Sequence, residues 1–213
     1  MIPASDYDSA EKKCLPYWNV FFDTLLEFIP DNCGNILELA SGTGFLTEIL
    51  VEKLPCTDIT CLDINREYIE FARRKKNLAG VKFITGDMRK FLSRRRYDTI
   101  LISQALAFLT DYDRQKLGEN IHHMLTDGGV FIAGDIFCPE SLFERDLYKK
   151  LWAKFMIKKG FSPEEAKGMI DPLDDYCQGN TISSFEEMLD SAGFSRVIVP
   201  YRREYYGIIV AYK

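Results

Sequence analysis

The sequence predicts an α/β domain built on a mostly parallel sheet. Five short apolar runs alternate with helix-like segments between residues 35 and 136, the pattern of strands joined through crossover helices. Four of these runs carry an acidic residue in or just after the strand: Glu38, Asp63, Asp87 and Asp135. The first run opens into a turn of very small residues, Ala40-Ser-Gly-Thr-Gly44. In an open parallel sheet the carboxyl ends of the strands share one edge, so these groups are expected to converge on one crevice.

The elements follow in order. Residues 1–10 read as loosely structured and Glu11 to Ile29 as one aromatic-rich helix, broken by Pro30-Asp-Asn-Cys-Gly34. The run from Ile36 ends in the small-residue turn, and a helix follows from Phe45 to Leu54. Gly42 and Gly44 carry no Cβ, which lets a ligand approach the backbone closely. The Glu38 carboxylate beside that turn disfavours a phosphate and suits a cationic ligand. Thr60 to Ile64 is a second buried strand with Asp63 about 20 residues beyond the turn, where nucleoside-binding α/β folds place the acid that holds ribose hydroxyls. The third run, Val81 to Thr85, leads into Gly86-Asp-Met88, and the fourth, Tyr97 to Ser103, into Gln104. The fifth, Val130 to Gly134, follows Asp127-Gly-Gly129 and ends at Asp135. Beyond Cys138-Pro139, residues 140–170 read as helix with a fresh start capped by Ser162. Ser184 and Glu187 have capping-box spacing for a further helix, which Gly193 ends. Two strands, about 195–200 and 205–212, close the chain and must be antiparallel across so short a turn.

Five segments together resemble the class I S-adenosylmethionine-dependent methyltransferases. They are Glu38-Leu-Ala-Ser-Gly-Thr-Gly44, Leu62-Asp-Ile64, Gly86-Asp-Met88, Tyr97-Asp-Thr-Ile-Leu-Ile-Ser103 and Leu125-Thr-Asp-Gly-Gly-Val-Phe-Ile132, in the family's order and near its spacing. The resemblance implies a Rossmann-like three-layer sandwich: a seven-stranded, mostly parallel sheet with an antiparallel C-terminal hairpin, plus a helical lid. It implies S-adenosyl-L-methionine as cofactor. Ser41, Gly42, Thr43 and Gly44 would lie under the methionine part, with Glu38 orienting that loop. Asp63 would hold the ribose, Ile64 and Met88 would flank the adenine, Asp87 would accept from its amine, and Gln104 would face the methyl or the acceptor. The family usually has glycine where this chain has Ala40, so the methionine end is expected to sit slightly differently. The expected layout is one domain over 1–213: an N-terminal helical lid (1–34), a cofactor-binding core (35–136), a helical roof (137–182), and a closing helix and hairpin (183–213).

More narrowly, Leu15-Pro-Tyr-Trp18, Trp152-Ala-Lys-Phe-Met156 with Gly160-Phe-Ser-Pro-Glu-Glu165, and the end hairpin resemble a bacterial subgroup that makes carboxy-S-adenosylmethionine for tRNA wobble-uridine modification. A carboxylated cofactor needs a cation. The subgroup's arginine precedes the Ala-Gly-Phe turn, a place that Met188 takes here, leaving Arg202 or Arg203 as substitutes. A non-catalytic binding subunit is a further alternative. A nicotinamide enzyme fits less well, because Thr47 stands where the third glycine of Gly-x-Gly-x-x-Gly belongs.

Composition bounds the rest. The 213 residues are 46% hydrophobic with a net charge of −5, which disfavours a general nucleic-acid binder and suits a small-molecule acceptor. No apolar stretch approaches the ~18 residues of a membrane span, and the start lacks the basic end and apolar core of a secretory signal, so a cytoplasmic monomer or homodimer is expected. The six cysteines lack metal or redox spacing and read as small apolar fillers in a reducing compartment. No metal is expected, since only His122 and His123 stand ready to join them. The basic clusters Arg73–Lys76 and Arg89–Arg96 are expected mostly at the sheet edge opposite the crevice. Tyr7, Tyr17, Trp18, Trp152, Tyr176, Tyr205 and Tyr206 are candidates for an acceptor pocket beneath the N-terminal helix and the 140–180 segment. No nucleophile is required of the enzyme, so no catalytic residue is assigned; if the acceptor needs a base, the tyrosines and Asp135 are the candidates.

Overall fold

The computed structural model describes residues 3–54, 57–177 and 179–213. Their strands are β1 (Asn35–Leu39), β2 (Asp58–Asp63), β3 (Lys82–Thr85), β4 (Tyr97–Ser103), β5 (Leu125–Ile136), β6 (Arg196–Arg203) and β7 (Tyr206–Tyr212). They form one seven-stranded sheet in the order β3-β2-β1-β4-β5-β7-β6, parallel from β3 to β5, with β7 antiparallel to both neighbours. The chain winds outward from β1 in one direction through β2 and β3, then returns to β4 on the other side. The switch point therefore lies between β1 and β4.

Alternate residues of each central strand feed two apolar layers, as the pleat requires. Ile36, Ile59, Cys61, Leu101, Ile132 and Ile208 pack with α2 (Trp18–Glu27), α3 (Phe45–Lys53) and α4 (Arg66–Arg73). Leu37, Leu39, Ile100, Ile102, Phe131 and Ile209 face α5 (Asp111–Met124) and α9 (Ile182–Ser191). Burial on both faces explains why these strands read as continuous apolar runs.

Some helix boundaries depart from expectation. The N-terminal segment is two helices, α1 (Ala4–Cys14) and α2, and α1 begins within the stretch expected to be loose. Pro16 cannot continue α1, and Tyr17 turns the chain with φ 58°. The 140–170 segment divides at the expected fresh start capped by Ser162, into α6 (Leu142–Lys158) and α7 (Pro163–Ile170), where Glu165 completes a capping box. A short α8 (Leu173–Tyr176) follows. The last helix starts earlier than the Ser184–Glu187 spacing suggested, because Thr181 and Ser184 cap each other reciprocally. Gly193, at φ 98°, ends it as expected. Its N–H donates to Asp190 O at 3.0 Å and that of Phe194 to Leu189 O at 3.2 Å, the paired bonds of a Schellman motif.

The cysteines are not all independent fillers. Cys138 and Cys177 form a disulfide, with Cα atoms 5.2 Å apart, that closes a segment of 39 residues holding α6, α7 and α8. Cys33 and Cys61 are buried and free, and Cys14 is half-buried. Cys56 and the Tyr176 side chain lie outside the described residues. Cross-linking a loop of this length constrains the unfolded chain by about 2–4 kcal/mol. Reduction, or Cys177→Ser, should therefore lower the thermal midpoint by roughly 5–15 °C, measured by calorimetry with and without reductant. An unchanged midpoint would show that the bridge adds nothing.

Candidate functional site

The crevice opens at the switch point because β1 and β4 leave the sheet in opposite directions. Both exits pass through a left-handed residue: Ala40 after β1 and Gln104 after β4, each at φ 56°. Beyond Ala40, the Ser41 N–H donates to Leu62 O of β2 at 3.1 Å; the Gln104 N–H donates to Gly134 O of β5 at 2.9 Å. The two chains part. A non-glycine residue in this conformation costs about 1–2 kcal/mol, and such strain persists where surrounding structure enforces it. The glycine that the family usually has at position 40 would relieve one of the two.

Between the exits lies a cavity of about 470 Å³, bordered by Ala40, Gly42, Asp63, Ile64, Asp87, Met88, Ser103 and Gln104. A smaller recess of about 30 Å³ extends it inward past Glu38, Ser41 and Thr43. Ten of the eleven expected cofactor residues thus border these two hollows, which share Ala40, Gly42 and Gln104 in their walls. Gly44, the other, sits behind the turn at φ 81°, where a Cβ would meet Leu78 Cδ1 at 2.9 Å and Ala72 Cβ at 3.2 Å. Gly42 faces open space, with no atom within 4 Å of a Cβ built there.

Asp63, at the end of β2, is 8% exposed. One carboxylate oxygen accepts the Gly42 N–H and the other the Asn65 N–H, each at 2.7 Å. It therefore ties the glycine turn to the start of α4, and a carboxylate keeps further lone pairs for a ligand. Glu38 is buried and accepts the Thr47 hydroxyl at 2.6 Å. Thr47 thus braces this carboxylate in place of a third glycine. Asp87 is gripped by its neighbour: Arg89 Nε donates to its two oxygens at 2.9 and 3.1 Å, and Nη2 at 2.6 Å. Those bonds hold the Asp87 carboxyl below its ordinary range. The Ser41 and Ser103 hydroxyls are buried without a hydrogen-bond partner, polar groups of the kind that a bound ligand satisfies.

The walls differ from those expected. Tyr7 on α1 lines the cavity and meets the Tyr68 ring at 5.4 Å. Tyr68, Phe108 and Leu109 complete the wall, and no periodicity in the sequence marked them. Helix α1 is held over the turn by Asp8, which accepts the Thr43 hydroxyl at 2.5 Å and pairs with Lys75 at 2.8 Å. The other aromatic candidates lie elsewhere. Tyr205 and Tyr206 are buried against Trp152, with ring centroids 6.1 and 5.2 Å away. Trp152 Nε1 donates to Cys14 O at 2.8 Å. Trp18 packs on Phe22 and Phe45, and Tyr17 lies under the Arg203 guanidinium at 3.4 Å. The reason is topological. The 137–182 segment follows β5, whose outer neighbour is β7, so Trp152 packs on the closing hairpin and reaches the end of α1.

Arg89 also corrects an expectation, since it borders the cavity rather than the opposite edge. Met188 packs against Gly118 of α5, while Arg202 approaches Glu144 at 4.0 Å. Among the described residues bordering the cavity, Arg89 is the sole cation. Asp135 is buried, and its oxygens accept the N–H groups of Ala105, Leu106 and Ile136, all at 2.7 Å. It braces the loop after β4 and is not positioned as a base. His123 is exposed and His122 packs edge-on against Phe194.

Residues 36–129 match the family model described as a methyltransferase domain. The chain is 25% identical to a carboxy-S-adenosyl-L-methionine synthase from Nautilia profundicola, over 99% of this chain and 92% of that protein. It is 28% identical to a malonyl-[acyl-carrier protein] O-methyltransferase from Bacillus anthracis, over 58% of this chain and 43% of that one. Among solved structures, the plantazolicin methyltransferase BpumL, in complex with a pentazolic desmethylPZN analog and SAH, superposes with a TM-score of 0.70 at 19% identity, covering 99% of this chain and 89% of that one. That likeness carries the fold. No helix among the described residues is long and apolar enough to cross a membrane. The sheet order, the switch-point cavity and the match of residues 36–129 to a methyltransferase domain agree with one another.

Proposed function

We propose that the protein transfers a methyl group from S-adenosylmethionine to a small-molecule acceptor. The observation that carries this reading is the single hollow of about 470 Å³ joining Gly42, Asp63, Asp87 and Gln104, a volume within the range of small-molecule sites. When bound, S-adenosylmethionine supplies an electrophilic methyl on a sulfonium sulfur. Asp63 offers its remaining lone pairs to a vicinal diol, and Ile64 and Met88 flank a flat base beside Asp87. The Ser41 and Ser103 hydroxyls suit the polar tail of an amino acid, and the buried Glu38 adds negative potential behind them. Gln104 stands at the exit of β4, on the acceptor side. Tyr7, Phe108 and Leu109 exclude water, and holding the reactants close and in line is the main catalytic contribution.

Two bordering groups are poorly suited to act as a base near neutral pH. Asp87 is held low by Arg89, and the Tyr68 hydroxyl is pushed up by burial and by Asp63. Calorimetry should show one molecule of S-adenosylhomocysteine bound per chain, and a screen of small acceptors should show turnover. Absence of binding would overturn the reading. The end-to-end similarity to a carboxy-S-adenosylmethionine synthase supports a second reading, in which the nucleoside carries an added carboxylate. The mass of the nucleoside that co-purifies with the protein separates the two.

A further inference from the structure

We propose that Arg89 is a positioning residue of the nucleoside site, fixing the Asp87 carboxylate as the acceptor for the exocyclic amine of the base. This rests on the reading that the cavity binds an adenine nucleoside. Asp87 leaves β3 through Gly86 on a loop and is half-buried at the border of the cavity. Arg89 restrains it twice: its backbone N–H donates to Asp87 Oδ1 at 3.0 Å, and its guanidinium reaches both oxygens from the side. A planar fork fixes the plane of a carboxylate in a way that a point charge does not. Three N–H donors of Arg89 occupy the carboxylate and leave about one of its roughly four lone-pair sites for a further donor. The same guanidinium lies 3.8 Å from Asp113 of α5, which anchors its far side. The charged groups around Asp87 are Arg89 and Lys90 on its own loop, Asp113 reached through Arg89, and Asp63 across the cavity. Arg89 and Lys90 keep Asp87 ionised, so its acceptor capacity persists as pH falls.

The test is the dissociation constant of S-adenosylhomocysteine between pH 4 and pH 8 for the wild type, Arg89→Gln, Arg89→Lys and Lys90→Gln. Arg89→Gln should raise it about tenfold at pH 8, the worth of one charge-assisted contact, and the low-pH loss of affinity should move to higher pH. Arg89→Lys should show the affinity loss with a smaller pH displacement, because it keeps charge without the fork. Lys90→Gln should match the wild type within twofold in affinity at pH 8. Equal constants and equal pH profiles for the wild type and Arg89→Gln would overturn the proposal while leaving the nucleoside site intact. A wild type that fails to bind would instead overturn the functional reading beneath it.

Discussion

Asp63→Ala should weaken S-adenosylhomocysteine binding at least about a hundredfold, measured by calorimetry at neutral pH. Two losses combine. The ligand forfeits a charged acceptor for its diol, and each hydrogen bond to a charged group is worth about 1.5–3 kcal/mol. Two such bonds amount to roughly 3 kcal/mol or more, which is over a hundredfold in affinity. The second loss is internal, because the Gly42 and Asn65 N–H groups surrender their acceptor, releasing the glycine turn from the start of α4. Asp63→Asn should fall between, since its amide keeps one acceptor oxygen but turns a donor toward the other N–H. Binding by Asp63→Ala within threefold of the wild type would remove this residue from the site.

The parts of the fold legible in the sequence were those whose environment constrains residue type. The centres of β1, β4 and β5 are buried on both faces, so Ile36–Leu37, Ile100–Ile102 and Val130–Ala133 read as continuous apolar runs. The turn at Gly42 and the acid at the end of β2 sit where sterics and charge allow few alternatives, and the structure gathers them around one hollow. Contacts set by distant parts of the chain were not legible. The Cys138–Cys177 bridge spans 39 residues with no telltale spacing. Phe108 and Tyr68 become walls only because β4 and β2 end on the same edge. Of the described aromatic candidates Tyr7 borders the cavity and the others lie away from it, since composition does not say which layer a ring enters. Two departures did have a signal. Pro16 announces the break between α1 and α2, and Arg89, two residues beyond Asp87, must leave β3 at the crevice rather than at the far edge.

Asp135 provides the sharpest separation between a structural and a chemical role. Three backbone N–H groups converge on its carboxylate, the two buried ones from the loop that follows Gln104 and a half-buried one from Ile136. Asp135→Ala strands all three, and unsatisfied buried donors cost about 1–3 kcal/mol each. A total loss of about 3–5 kcal/mol is expected, read as a lower urea midpoint with an unchanged slope. The loop carrying Gln104, Ala105 and Leu109 should loosen with it, and nucleoside affinity should fall. Asp135→Asn should behave differently. Burial outweighs the N–H groups and pushes the Asp135 carboxyl up to about 6. A folded value above the unfolded one contributes stability that is fully present below about pH 4 and is lost as pH rises through about 6. The asparagine variant lacks that titration. Its amide turns a donor toward at least one of the three N–H groups, so at pH 7.5 it should lie between Asp135→Ala and the wild type, and its stability should vary less than the wild type's between pH 4.5 and pH 7.5, by about 1–3 kcal/mol. Its affinity for S-adenosylhomocysteine should stay close to that of the wild type. If Asp135 instead removed a proton from the acceptor, Asp135→Asn would abolish turnover while folding and nucleoside binding stayed normal, and the role of loop anchor would no longer account for its burial.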